Sequence, residues 1–191
     1  MQLKTLAITL LIGVPSLSQG ALTFHIIEAG DDVRILGFGS LDTSSFLEIQ
    51  TPIEPTFSGG GTEPGFAVIT VGVTPADLLD VDQFNEGIQG SSDFGSGSLV
   101  FADFGEGSPI GFSFDMRAVI LPEDYVSGSF ISGSATYLNT SIAEMGVSEG
   151  AHVWTLPSDQ TITILTVPEP ASASLFSLAL TGLLFTRRRS R

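Results

Sequence analysis

The middle of the chain has almost no helical periodicity: between residues 21 and 166, apolar side chains do not recur at helical spacing over ten residues. Short runs of β-branched and aromatic residues occur instead, separated by the glycine, serine, aspartate and asparagine that favour turns. These runs cover residues 22–28, 33–39, 66–71, 116–121, 134–140, 151–156 and 161–166. The pattern predicts an all-β fold.

Two turn sequences indicate how the runs are joined. Residues 29–32, Ala-Gly-Asp-Asp, connect the first two runs and residues 157–160, Pro-Ser-Asp-Gln, connect the last two, so each pair is expected to form a hairpin. We expect the last strand to lie beside the first. One short helix is predicted at residues 75–84, with Thr74 as N-cap and Pro75 at the first helical position. The sequence therefore predicts a single antiparallel β-sandwich or barrel-like domain over residues 21–166, with one short capping helix.

Composition limits what this domain can do. The chain has no cysteine, which excludes disulfides, thiolate metal sites and thiol catalysis. Between residues 21 and 166 there are twenty acidic residues and only two basic ones, Arg34 and Arg117, which gives a net charge of about −18. Such a surface repels nucleic acid and also polyanionic polysaccharide unless divalent cations bridge the two. Neutral glycans, cations and basic proteins remain as partners, and no cofactor is expected.

The first twenty residues have the three parts of a secretory signal peptide. Lys4 supplies the positive segment, residues 6–14 form the apolar segment, and Ser18 and Gly20 are the small residues before a cleavage site. We expect cleavage between Gly20 and Ala21. A buried core helix is the alternative, but Pro15 would end it at once. The sequence therefore predicts a signal helix over residues 1–20 and export through the Sec translocon.

The last 25 residues have three parts in a fixed order. Val167, Pro168, Glu169 and Pro170 come first, residues 171–186 follow without a charge, and the chain closes on Arg187, Arg188, Arg189, Ser190 and Arg191. A helix of the uncharged residues would be about 24 Å long, shorter than a hydrocarbon core of roughly 30 Å. The arginines would stay in the cytoplasm, which leaves the body outside. Residues 167–191 thus predict a transmembrane helix, either temporary or a permanent single-pass anchor.

This tail resembles the PEP-CTERM sorting signal of Gram-negative bacteria, with Pro168, Glu169 and Pro170 in the place of its triplet. The resemblance implies recognition by an exosortase, a membrane-embedded enzyme that removes the tail at or near the triplet. It also implies a transient stay in the inner membrane and then a place at the cell surface, in an exopolysaccharide or biofilm layer. Residues 39–42, 121–128, 134–137 and 153–154 resemble, more faintly, a class of PEP-CTERM ectodomains whose activity is unknown.

Three patterns in the body suggest chemistry of its own. Gly146, Ser148 and Gly150 match the nucleophile elbow of serine hydrolases, but a strand rather than a helix is expected after them, and a polar turn explains the segment. Asp77, Asp80, Asp82 and Glu86 form a weak calcium candidate that lacks the glycine and final glutamate of an EF-hand, so a solvated face is the simpler interpretation. Trp154 and Tyr125 are candidates for stacking on a sugar ring, against the commoner alternative of a core tryptophan.

The main prediction is an exported, non-enzymatic protein of the cell surface or extracellular matrix. Exopolysaccharide and basic surface proteins are its expected partners outside the cell. A calcium- or glycan-binding secreted module is the alternative, and a secreted hydrolase is the third.

Overall fold

The computed structural model describes residues 20–44, 46–53, 60–73, 76–80 and 88–167. Within these residues there are thirteen β-strands and two short 3₁₀ turns, Pro64–Phe66 and Pro157–Asp159, and no α-helix. The strands are β1 (Ala21–Ala29), β2 (Asp32–Ser40), β3 (Leu47–Ile53), β4 (Gly61–Glu63), β5 (Val68–Val71), β6 (Ala76–Asp80), β7 (Val100–Phe101), β8 (Phe104–Gly107), β9 (Ile110–Ser113), β10 (Ala118–Leu121), β11 (Ile131–Tyr137), β12 (Gly150–Thr155) and β13 (Thr161–Val167). The predicted all-β class is confirmed.

The strands form two sheets around one apolar core. Sheet A has the order β12-β13-β1-β2-β11-β8, and sheet B has the order β3-β6-β10-β9-β5-β4-β7. At Gly37 of β2 the sheets approach so closely that a Cβ atom would lie 2.8 Å from Val71 Cγ2 of β5. Glycine at this position therefore allows the two layers to meet without a gap.

The strand alternation seen in the sequence accounts for the core. In β1, Leu22, Phe24 and Ile26 are fully buried, while the residues between them are only partly covered. The partner strand β2 buries Val33 and Ile35. Period-two alternation buries one face of a strand, and each side chain of this size contributes about 1.5–3 kcal/mol on burial. The β1–β2 hairpin is thus confirmed, as is the closing hairpin of β12 and β13.

The last strand lies beside the first, as expected, but in the parallel sense. Ala21 pairs with Thr161, and the register continues to Ile27 opposite Val167. All other pairs of strands within the described residues are antiparallel. Sheet A is therefore mixed rather than purely antiparallel, with β13 parallel to β1 on one side and antiparallel to β12 on the other.

The predicted helix at residues 75–84 is wrong over its described part, residues 76–80, which form β6. This strand has a partner on each side, with Leu79 opposite Val119 of β10 and Glu48 of β3. Two ladders of backbone hydrogen bonds outweigh the capping signals of Thr74 and Pro75, because local propensity is a weak determinant beside tertiary pairing. The remainder of the predicted helix lies outside the described residues.

The predicted signal helix and transmembrane helix also lie outside the described residues, apart from Gly20 and Val167 at their borders. Within the described part of the chain, no helix is long and apolar enough to cross a membrane.

Candidate functional site

Val167, the first residue of the predicted sorting motif, is the last residue of β13. It pairs with Ile27, and β13 is enclosed by β1 on one side and β12 on the other. The parallel register places Ala21, the residue after the predicted signal cleavage, at the opposite end of the sheet, about 20 Å away at roughly 3.3 Å per residue. Ala21 and Val167, the described residues next to the two predicted cleavage points, therefore lie at opposite ends of sheet A. Ser18, Pro168, Glu169, Pro170 and the four tail arginines lie outside the described residues.

Carboxylates fix a loop at the end where Val167 leaves the sheet. Glu28 Oε1 accepts a hydrogen bond from Ile142 N at 2.8 Å, and Asp32 Oδ1 accepts one from Asn139 N at 2.9 Å. Glu144 Oε2 accepts from both Ser141 N and Ser141 Oγ at 2.9 Å. These two bonds, the backbone one foremost, lower the pKa of Glu144. Glu28 and Asp32 therefore hold residues 138–144 against the β1–β2 hairpin, whereas Glu144 stabilises the loop from within.

A cavity of about 350 Å³ lies at the same end, lined by Gly30, Asp31, Asn139, Thr140, Ser141 and Glu144. Across the described residues, no group of three or more histidine, aspartate and glutamate side chains is placed to hold a metal ion. Of the predicted calcium ligands, Asp77 and Asp80 lie on β6, whereas Asp82 and Glu86 lie outside the described residues. The calcium interpretation therefore gains no support from the described residues.

Trp154 is a core residue with no face exposed to a sugar ring, so the stacking considered for it is not supported. The side chain is fully buried, and its Nε1 donates a hydrogen bond to Ser91 O at 2.6 Å. The indole packs against Phe112 with ring centroids 5.1 Å apart and meets Phe94 edge-on at 6.3 Å. A buried tryptophan with its N–H paired fits the commoner alternative stated for this residue.

Tyr125 is engaged in holding a loop to the end of β2. Its hydroxyl accepts a hydrogen bond from Leu41 N at 2.8 Å and lies within donating distance of Leu41 O and Ser129 O, at 3.0 and 2.8 Å. Partial burial is the main cause that raises the pKa of this phenol. Nearby, Asp42 accepts hydrogen bonds from Ser44 and Ser127. These bonds lower the pKa of its carboxyl, and those from Ser44 have the largest effect. The contacts of Tyr125 explain its presence without a ligand, so its predicted sugar contact is not supported.

The hydrolase pattern at Gly146, Ser148 and Gly150 does not form a nucleophile elbow. Strand β12 begins at Gly150, so no helix follows the serine, and Ser148 N donates to Phe94 O at 2.9 Å. His152 lies against Phe94 and Trp154, with centroids 6.3 Å from each. Its Nε2 is buried without a hydrogen-bond partner among the described residues, so it does not pair with a serine hydroxyl. A polar turn between strands is what the structure contains here.

The outer face of sheet A carries a groove that the sequence did not reveal. It has a volume of about 460 Å³ and follows β11, between β2 on one side and β8 on the other. The register explains its shape: Ser134 lies between Leu36 and Glu106, and Ser132 lies opposite Phe38. Small residues on the middle strand, flanked by larger ones on both neighbours, leave a channel.

Polar and aromatic groups are placed at defined points of this groove. Arg34 Nη2 lies 3.7 Å from Glu106 Oε2, so an ion pair connects β2 to β8 across the groove. The Phe38 ring meets His25 edge-on, with centroids 5.2 Å apart and an interplanar angle of 81°. No sequence signal could have found this set, because its members come from three strands that are distant along the chain.

Comparison with known proteins gave no match to a protein-family model, to a curated protein or to a solved structure.

Proposed function

We propose that the chain is an exported, non-enzymatic protein of the cell surface or extracellular matrix, sorted through its C-terminal tail by an exosortase. The tail itself carries the proposal: Pro168, Glu169 and Pro170, sixteen uncharged residues and then the arginine cluster. In this order they fit a processing site, a short membrane helix and a positively charged segment that stays in the cytoplasm. The body, in this proposal, is a β-sandwich that needs no disulfide to persist outside the cell.

The position of the tail relative to the fold supports the proposal. The last strand ends at Val167, directly before the triplet, and the first strand begins at Ala21, directly after the expected signal cleavage. Both expected cuts thus fall outside the strands and would leave the two sheets whole. The first proline also suits this junction, because a proline lacks the N–H needed to extend the ladder with β12 or β1.

Intact-mass measurement of the protein isolated from its native envelope tests the proposal. We expect the recovered species to begin at Ala21 and to lack residues 171–191. A variant with Pro168, Glu169 and Pro170 all changed to alanine should be exported but keep its tail. Changing Pro157 to alanine, in a turn remote from the tail, is the matched control and should be processed normally.

The outcomes separate the two interpretations of the tail. A species that still ends in Arg191 in a host with an exosortase would mean a permanent anchor and would overturn tail processing. A species that retains residues 1–20 would overturn export itself.

A further inference from the structure

We propose that the groove along β11 binds one or two residues of a neutral sugar chain. Its walls combine an aromatic ring, Phe38, with an exposed ion pair, Arg34 and Glu106, and its floor is formed by Ser132 and Ser134. A sugar presents C–H groups on one face and hydroxyls at its rim, and this arrangement offers a partner for each. The inference goes beyond sorting, since it concerns what the body contacts after export.

The length of the groove sets the size of its ligand. From Ser132 to Ser134 the floor covers two residues of one strand, or about 7 Å. The ion pair bounds one end, because Arg34 lies opposite Thr136, the next outward residue of β11. A groove this short accommodates one sugar ring fully and the next ring in part. It is too short to bind a long stretch of a polysaccharide at several sites.

The ion pair is suited to recognition more than to stability. The side chains of Arg34 and Glu106 are 50% and 79% exposed, and exposed ion pairs contribute about 0–1 kcal/mol. The guanidinium supplies fixed donors and the carboxylate supplies acceptors, so the pair can bind two adjacent hydroxyls at once. Separating the two charges for this purpose costs little.

Charge favours a neutral ligand. The groove carries one positive and one negative group, whereas the body as a whole carries twenty acidic residues and two arginines. A polyanionic sugar would be repelled by the surrounding surface, and a cation would meet Arg34 at the site. A neutral polyol has neither penalty.

The aromatic wall is held in a defined orientation. His25 on β1 contacts Phe38 edge-on, and both belong to the outer face of sheet A, where Thr23 pairs with Phe38 and His25 with Leu36. Phe38 is only partly buried, so part of its ring faces the groove. An oriented ring lowers the entropic cost of stacking a ligand on it.

Binding is tested with the full chain as isolated, kept in a detergent without a sugar headgroup. The probes are neutral oligosaccharides of glucose, galactose, mannose and N-acetylglucosamine, with an oligogalacturonate as the anionic comparison, measured by calorimetry and ligand-observed NMR. We expect at least one neutral probe to bind in the millimolar range or tighter, and the oligogalacturonate to bind more weakly.

Variants locate the binding in the groove. Glu106→Gln should weaken affinity by about tenfold or more, which is the loss expected for a charged hydrogen bond. Phe38→Ala should abolish binding and Phe38→Tyr should retain it. Glu149→Gln, at an exposed glutamate outside the groove, is the matched control, and melting curves verify that each variant is folded.

Three results would overturn the inference. These are the absence of binding by every neutral probe at millimolar concentration, affinity unchanged by Glu106→Gln and Phe38→Ala, and tighter binding of the oligogalacturonate. Tail processing is read by mass on the same preparations and does not depend on the groove, so either proposal can fail alone.

Discussion

The two tyrosines of the chain should respond in opposite ways to loss of their hydroxyl groups. Tyr137 is 1% exposed, and its hydroxyl is buried without a hydrogen-bond partner among the described residues. The hydroxyl of Tyr125 contacts Leu41 and Ser129. Because the two residues differ in hydrogen bonding and share the same chemistry, phenylalanine at each position forms a matched pair of experiments.

An unpartnered buried hydroxyl costs about 1–3 kcal/mol in mutational data, while its replacement by hydrogen leaves the ring packing unchanged. Tyr137→Phe should therefore raise the free energy of unfolding by about 1 kcal/mol. For a domain of this size that corresponds to a rise in Tm of roughly 2–4 °C. Tyr125→Phe leaves Leu41 N without its partner and should lower the free energy of unfolding by about 1–2 kcal/mol.

The dependence of stability on alkaline pH gives a second test of the prediction for Tyr137. Burial raises the pKa of the Tyr137 phenol above its ordinary value of 10.0. A raised folded-state pKa means that the folded chain holds its proton where the unfolded chain releases it, so stability falls as pH rises above about 10. Tyr137→Phe removes this group and should make the decline between pH 9 and about 11 shallower.

Urea unfolding followed by circular dichroism, at pH 7 and at pH 10.5, measures both effects on the three proteins. Equal slopes of free energy against urea would show that the variants unfold to comparable states. A Tyr137→Phe variant destabilised by about 1 kcal/mol or more would refute the reasoning, because it would mean that the hydroxyl makes a favourable bond.

Two further predictions concern the tryptophan and an acidic residue. Trp154 is the only tryptophan and is fully buried, so its fluorescence should be blue-shifted and resistant to iodide quenching until the protein unfolds; ready quenching in the native state would contradict the packing against Phe112. Hydrogen bonds from Ser44 and Ser127 lower the pKa of Asp42, so the stability that its carboxylate adds is present above its unfolded pKa, near 4, and is lost as pH falls through the folded value. Asp42→Asn should flatten the acid limb of a pH–stability curve, whereas an unchanged acid limb would contradict the role of these bonds.

Local signals in the sequence were sufficient where neighbouring residues determine the structure. The turn at residues 29–32 was predicted from its composition, and Gly30 adopts a φ of +70°, which glycine tolerates at little cost. The alternation of apolar residues in β1 likewise determined which side chains face the core. Pairing of the first and last strands followed from the apolar runs at both ends of the body, although its parallel sense did not.

Features that depend on distant strands could not be predicted from local patterns. Residues 76–80 have the start signals of a helix, and only their partners in β3 and β10 make them a strand. The groove requires Phe38, Glu106 and Ser132 to become neighbours, although 94 positions separate Phe38 from Ser132 in the chain. Trp154 was open to two interpretations because an aromatic residue in a strand can face either way; pairing with Ile162 places it on the buried face.

The parallel pairing of β1 and β13 also determines how the domain resists a mechanical pull. A tether attached beyond Val167 and drawn along the strand axis would load the seven residue pairs between these strands, and those with β12, in shear. All the hydrogen bonds of both ladders would then share the force at once, in contrast to a hairpin pulled from its open end, whose bonds break one after another. A domain tethered at this end in flowing water would therefore resist the drag through two ladders of hydrogen bonds acting together.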